Sequence, residues 1–95
     1  MKLTIKEVAA LFGADHITDE TVINQVEFDS RKVQAGDLFV PLAGVRDGHD
    51  FIDAAAKNGA VAAFWSRDSQ ELPAGVTKIP VADPLAAMQQ LAVYY

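Results

Sequence analysis

Between Leu38 and Trp65 the chain passes through a short apolar run, a segment with helical spacing, a helix stop and a second apolar run. Few folds accept that succession. Leu38-Phe39-Val40 suits a buried strand, and Pro41 directly after it is tolerated only near a strand's end or edge. Phe51, Ile52, Ala55 and Ala56 recur at helical spacing until Asn58-Gly59, a helix-ending pair. A strand over 38–42, a helix over about 49–58 and a strand over 61–65 make a βαβ unit. Its strands should be parallel and its crossover right-handed.

The flanking segments fit around that unit. Thr4-Ile5-Lys6-Glu7 has the form of a capping box that opens a helix over about 5–12, and Gly13 is placed to end it. Ile5, Val8, Leu11 and Phe12 would form its buried stripe. Val26 and Phe28 flank Glu27 in period two, the sign of a half-buried strand ending at Asp29. Val33 to Asp37 is a turn with Gly36 at the positive-φ position. Ser66 to Gly75 reads as a connector, and Lys78-Ile79-Pro80-Val81 as a strand that Pro80 places at a sheet edge. Asp83-Pro84 is an N-cap with a first-turn proline, followed by a helix to Tyr95 with Leu85, Met88, Leu91 and Ala92 as its apolar stripe. A helix ending without a stop signal suggests a domain whose natural sequence continues. The expected fold is a single small α/β domain over 1–95, a mixed, mostly parallel sheet with flanking helices in two or three layers.

Ninety-five residues at 51% hydrophobic composition suffice for one compact core. The formal charge of −5 leaves no Lys/Arg stripe for a duplex, so no nucleic-acid partner is expected. A small nucleotide remains open, because one basic residue and a few backbone N–H groups can meet its phosphates. With no cysteine there are neither disulfides nor thiolate metal sites. No signal peptide or stretch of about 18 apolar residues is present, which reads as a cytoplasmic protein without membrane insertion.

The polar residues gather where strands end, the place where α/β domains build ligand sites. Asp29-Ser30-Arg31 offers a carboxylate, a hydroxyl and a guanidinium able to hydrogen-bond a nucleobase or ribose edge and balance phosphate charge. The plainer reading is a turn in which Asp29 caps, Arg31 pairs with Asp29 or Asp37, and Ser30 satisfies a backbone group. Gly44-Val45-Arg46-Asp47-Gly48 joins a strand to a helix, where glycines permit close backbone approach and a helix start favours an anion. It may equally be read as a capping loop, with Asp47 accepting from the helix start and Asp50 in the first turn. His49 could donate to a phosphate or ribose, or be a surface residue; His16 has less claim. The pairs Asp47/Asp50 and Asp50/Asp53 resemble an ordinary acidic helix start, and no metal site is assigned. No catalytic triad or G-x-S-x-G elbow is present, so no catalytic residue is named. Phe64 and Trp65 read as core or interface residues, the exposed one of the two available to a neighbouring domain.

Asp29-Ser30-Arg31, Gln34-Ala35-Gly36-Asp37-Leu38-Phe39-Val40 and Asp47-Gly48-His49-Asp50-Phe51-Ile52, in this order and spacing, resemble the N-terminal domain of the Mur ligases, which extend the cell-wall peptide on a UDP-sugar. Leu3 to Ala9 and the short Gly44–His49 loop lean toward the MurF branch, with the MurE branch next. The resemblance implies a MurE/MurF-type N-terminal fold that anchors the UDP part of UDP-N-acetylmuramoyl-tripeptide, with Ser30 as the first choice for uridine contact. Asp29, Arg31, Gly44, Val45, Arg46, Asp47, Gly48 and His49 would surround the ligand, and Arg31 would brace the loop.

By the same resemblance the full-length enzyme uses ATP and Mg2+ to activate a carboxylate for attack by D-alanyl-D-alanine, in central and C-terminal domains absent from this chain. The sequence contains no G-x-x-x-x-G-K-[ST], so no ATP loop is encoded here and this segment alone would not be catalytic. A MurE-type domain, which would bind the dipeptide precursor to which the third amino acid is added, is the nearer alternative. An interaction domain using Leu85, Met88, Leu91, Tyr94 and Tyr95 is the other.

Overall fold

The computed structural model describes residues 3–42, 48–66 and 71–94, with the side chains of Gly48, His49 and Tyr94 outside the description. Four parallel strands form the main sheet: β3 (Val26–Glu27), β4 (Leu38–Phe39), β5 (Ala62–Trp65) and β6 (Thr77–Pro80), in that spatial order. A separate antiparallel pair, β1 (Leu3–Thr4) with β2 (Val22–Ile23), sits at the N-terminal side. Three helices complete the domain: α1 (Ile5–Leu11), α2 (Ile52–Lys57) and α3 (Pro84–Tyr94). Among the described residues none is long and apolar enough to cross a membrane.

Side-chain alternation along the strands divides the core into two layers. Leu38, Val40, Ala62, Phe64 and Ile79 face α1 and α3. Phe39, Ala63 and Trp65 face Ile52 and Ala55 of α2. The arrangement is therefore three-layered, and both Phe64 and Trp65 are buried, correcting the expectation that one of them is exposed. Each such side chain contributes roughly 1.5–3 kcal/mol by leaving water. Phe64 also meets Phe12 edge-on, with ring centroids 5.2 Å apart and planes at 72°.

The helix boundaries follow local chemistry. The Glu7 N–H donates to Thr4 Oγ1 (3.1 Å) while Glu7 Oε1 accepts from the Thr4 N–H (3.0 Å), the expected capping box. The next free N–H groups, of Ile5 and Lys6, donate to the carbonyls of Thr21 and Asp19. Gly13 ends α1 at φ +78°, with Gly13 and Ala14 donating back to Ala10 and Ala9. At α3, Asp83 Oδ1 accepts from the Leu85 N–H at 3.0 Å, and Pro84 occupies the first turn. Asp19 ties two elements together: one carboxylate oxygen accepts from Thr21 and the other from the Thr77 hydroxyl at 3.0 Å.

Two stripes differ from the expected ones. In α1, Leu11 is exposed and Ala9 is buried in its place. In α3 the inward face is Pro84, Ala87, Met88 and Leu91, whereas Leu85 is 44% and Val93 89% exposed and Ala92 also points outward. Apolar residues surround α3, so periodicity alone had no single phase, and the sheet selected the face bearing small Ala87. Leu91 is 1% exposed, which removes it from the docking stripe considered for a protein partner.

Candidate functional site

Parallel strands need a crossover, usually a helix. Between β3 and β4 the connection is only residues 28–37 and contains no helix. Its shape comes from side chains bonded to backbone. Glu27 Oε2 accepts from the N–H groups of Phe28 and Asp29, both at 3.1 Å, so strand β3 stops at Glu27 and not at Asp29. Asp29 Oδ1 accepts from the Arg31 N–H at 3.0 Å, and the Lys32 N–H donates to the Asp29 carbonyl. Further on, buried Asp37 accepts from the Gln34 N–H at 2.8 Å and Gly36 sits at φ +89°, the expected turn.

On the opposite side of this loop lies α2. It is six residues long, preceded by a 3-10 turn over Gly48–Phe51, and is the only described helix on its face of the sheet. So short an element leaves part of the face uncovered. A cleft of about 480 Å³ opens there, lined by Phe28, Asp29, Ser30, Arg31, Phe39, Leu42, Phe51 and Ala54. It stands at the carboxyl ends of β3 and β4, where ligands of parallel sheets bind.

The structure thus brings Asp29, Ser30 and Arg31 together in one cleft. Ser30 is 7% exposed, is among the residues lining the cleft, and its carbonyl accepts from Asn58 Nδ2 at 2.9 Å. Arg31 is held by Asp29 through two contacts, Nε to Oδ1 at 3.2 Å and Nη2 to Oδ2 at 3.1 Å. Hydrogen bonding from Arg31 is the main reason the Asp29 carboxyl lies below its ordinary range, and the bond to Asp29 in turn raises the Arg31 guanidinium. These are the turn contacts of the plainer reading, so Arg31 braces the loop, while Ser30 is the buried member of the three that line the cleft.

Gly44, Val45, Arg46 and Asp47 lie outside the described residues, as does the side chain of His49; Gly48 and His49 belong to the backbone of the 3-10 turn. Among the described residues no cluster of three or more His, Asp or Glu could hold a metal. A second cleft, about 520 Å³ and lined by Phe12, Trp65, Ser66, Pro80 to Asp83, Ala86, Ala87 and Gln90, contains none of the residues named from sequence for ligand contact. The first cleft is the better candidate because a polar loop and a buried hydroxyl converge on it.

Sequence reasoning missed the cleft's apolar wall. Phe28 read as an inward strand residue, yet it is 57% exposed because the chain turns at Glu27. Phe51 and Ala54 lie on a helix whose apolar residues read as core. Only the end of the apolar-polar alternation at Asp29 could have signalled the turn.

Residues 22–95 match the family described as Mur ligase family, catalytic domain. The chain is 38% identical over 99 aligned residues to the UDP-N-acetylmuramoyl-tripeptide--D-alanyl-D-alanine ligase of Bacillus subtilis, covering 100% of this chain and 22% of that protein. It is 38% identical to the UDP-N-acetylmuramoyl-L-alanyl-D-glutamate--2,6-diaminopimelate ligase of Oceanobacillus iheyensis, covering 94% of this chain and 18% of the relative. MurF from Acinetobacter baumannii superposes with a TM-score of 0.75 at 29% identity, over 99% of this chain and 21% of that one. MurF from Thermotoga maritima, in complex with ADP, gives 0.61 at 32% identity over 79% of this chain and 17% of the other. The chain therefore spans about a fifth of the length of the relatives it matches. Fold, strand-end loop and sequence agree: the chain belongs to the Mur ligase family.

Proposed function

We propose that this chain is the substrate-anchoring part of a peptidoglycan-precursor ligase of the MurF kind, holding the UDP end of UDP-N-acetylmuramoyl-tripeptide in the cleft beside Ser30. The observation that carries this reading is the 480 Å³ cleft, which sets a buried serine against an apolar wall at the carboxyl ends of parallel strands. A uracil ring has two needs that this site meets. Its faces leave water against Phe28, Leu42 and Phe51, and its polar edge is within the chemistry of a serine hydroxyl that both donates and accepts. Gly44, Val45, Arg46, Asp47, Gly48 and His49 belong to the proposal on sequence grounds alone, as further contacts to the UDP part.

The chain's contribution to catalysis on this reading is positioning. Fixing one end of a long substrate presents the other end at a defined place and converts part of the entropy of encounter into binding. ATP and Mg2+ would act elsewhere in the enzyme, because this sequence has no phosphate-cradling Lys-Ser/Thr loop. Both relatives carry UDP-N-acetylmuramoyl in their names, which supports a site for the UDP part that they have in common.

An amide-resolved NMR titration with UDP, then with UDP-N-acetylmuramoyl-tripeptide, tests the proposal. Saturable shifts at Phe28 to Arg31 and at Phe51 and Ala54 are expected. Absence of shifts at millimolar UDP, or shifts centred on Ser66, Asp83 and Gln90 in the other cleft, would refute it.

A further inference from the structure

Asn58 and Gly59 together end α2, but only the glycine is needed for that. Gly59 takes φ +110° and donates to the Ala56 carbonyl, and Ala60 donates to Ala55, which completes the helix terminus. Asn58 itself has φ −84° and ψ −2°, a conformation open to any residue. Its side chain does something else: Nδ2 donates to the Ser30 carbonyl at 2.9 Å, across 28 positions of sequence.

The end of α2 is thereby fastened to the helix-free crossover at two places. Asn58 holds residue 30, and the Gly59 carbonyl accepts from the Gly36 N–H at 2.9 Å. Ala54, one turn before Asn58, lines the same cleft as Ser30. A single helix and its C-cap therefore carry both a lining residue of the cleft and the donor that holds the Ser30 backbone.

We infer that Asn58 is a positioning residue for ligand binding, acting through the Ser30 backbone to aim the Ser30 hydroxyl at a uridine nucleotide. The inference rests on the proposed uridine site. Asparagine suits the task because its amide donates at every pH, whereas an aspartate of the same shape has no donor when ionised and faces a carbonyl oxygen.

The test is a double-substitution cycle in this chain, with UDP as the probe. Ser30→Ala should weaken UDP binding about three- to tenfold, the loss of one hydrogen bond. Asn58→Ala should weaken it by a comparable factor, Asn58→Asp by at least as much, and Ser30→Ala/Asn58→Ala no more than Ser30→Ala alone. The Ser30 carbonyl-carbon shift of ligand-free Asn58→Ala should move, which reports the lost bond in a folded protein. Asn58→Ala binding UDP like the parent, factors that multiply in the double variant, or an unmoved Ser30 carbonyl would each overturn the positioning role while leaving the uridine site standing. A parent that does not bind UDP, or a Ser30→Ala variant that binds it unchanged, would instead overturn the uridine site and the inference with it.

Discussion

Gly59 and Gly13 make a matched pair on which the docking of α2 can be tested. Both end a helix with positive φ, +110° and +78°. They differ in their surroundings: a Cβ on Gly13 meets nothing within 4 Å, whereas one on Gly59 falls 2.6 Å from Ala35 Cα and 2.9 Å from Ala35 N. Gly13→Ala should therefore cost only the conformational penalty of an L-residue at positive φ, about 1–2 kcal/mol. Gly59→Ala adds a collision with backbone, which cannot rotate away, and overpacking of that kind costs about 1–3 kcal/mol more. The expected total is about 2–5 kcal/mol, against roughly 5–14 kcal/mol of stability for a domain of this length. Urea unfolding followed by Trp65 fluorescence gives both numbers. With a slope of about 1–3 kcal/mol/M, the two midpoints should separate by about 1 M. Equal midpoints would mean that α2 does not press on the 34–37 turn, and the account of how the crossover is held would fail.

Three further outcomes are expected. Hydrogen bonds, first from Thr21 and then from Thr77, hold the Asp19 carboxyl below its ordinary 3.8. Its stabilisation is thus present above that value and lost as pH falls through the lowered folded one, so Asp19→Asn should flatten the acid side of a midpoint-versus-pH curve. Thr4→Ala should destabilise the domain by about 1 kcal/mol through loss of the α1 cap, read by thermal unfolding. Leu91→Ala should cost about 2–5 kcal/mol and Leu85→Ala well under 1 kcal/mol, a contrast in denaturant midpoints that the reverse order would refute.

The βαβ unit and the helix starts were legible because their signals are local: apolar runs bounded by Gly and Pro, a capping box, an Asp-Pro start. The stripe of α3 was not, since apolar residues at 84, 85, 86, 87, 88, 91, 92 and 93 leave the buried phase to the sheet. The β1–β2 pair was also missed, because two residues per strand carry no period. At the site, Asp29, Ser30 and Arg31 stood out as polar residues beyond a strand. Their roles separated only in three dimensions, with Arg31 paired to Asp29 and Ser30 buried. Phe28, Phe51 and Ala54 were illegible as cleft residues because burial against a core and burial against a ligand ask for the same side chain.

The Asp29–Arg31 ion pair has a kinetic side as well. Its two charges cancel within one turn of chain, so at a distance this loop presents a dipole in a protein of net charge −5. On the proposed reading, a diphosphate arriving from solution is repelled by that net charge once it comes within a Debye length, about 8 Å at physiological ionic strength. Capture by this chain should be slow at low salt and quicken as salt is added, the opposite of the steered encounter that phosphate-binding proteins with a basic face enjoy.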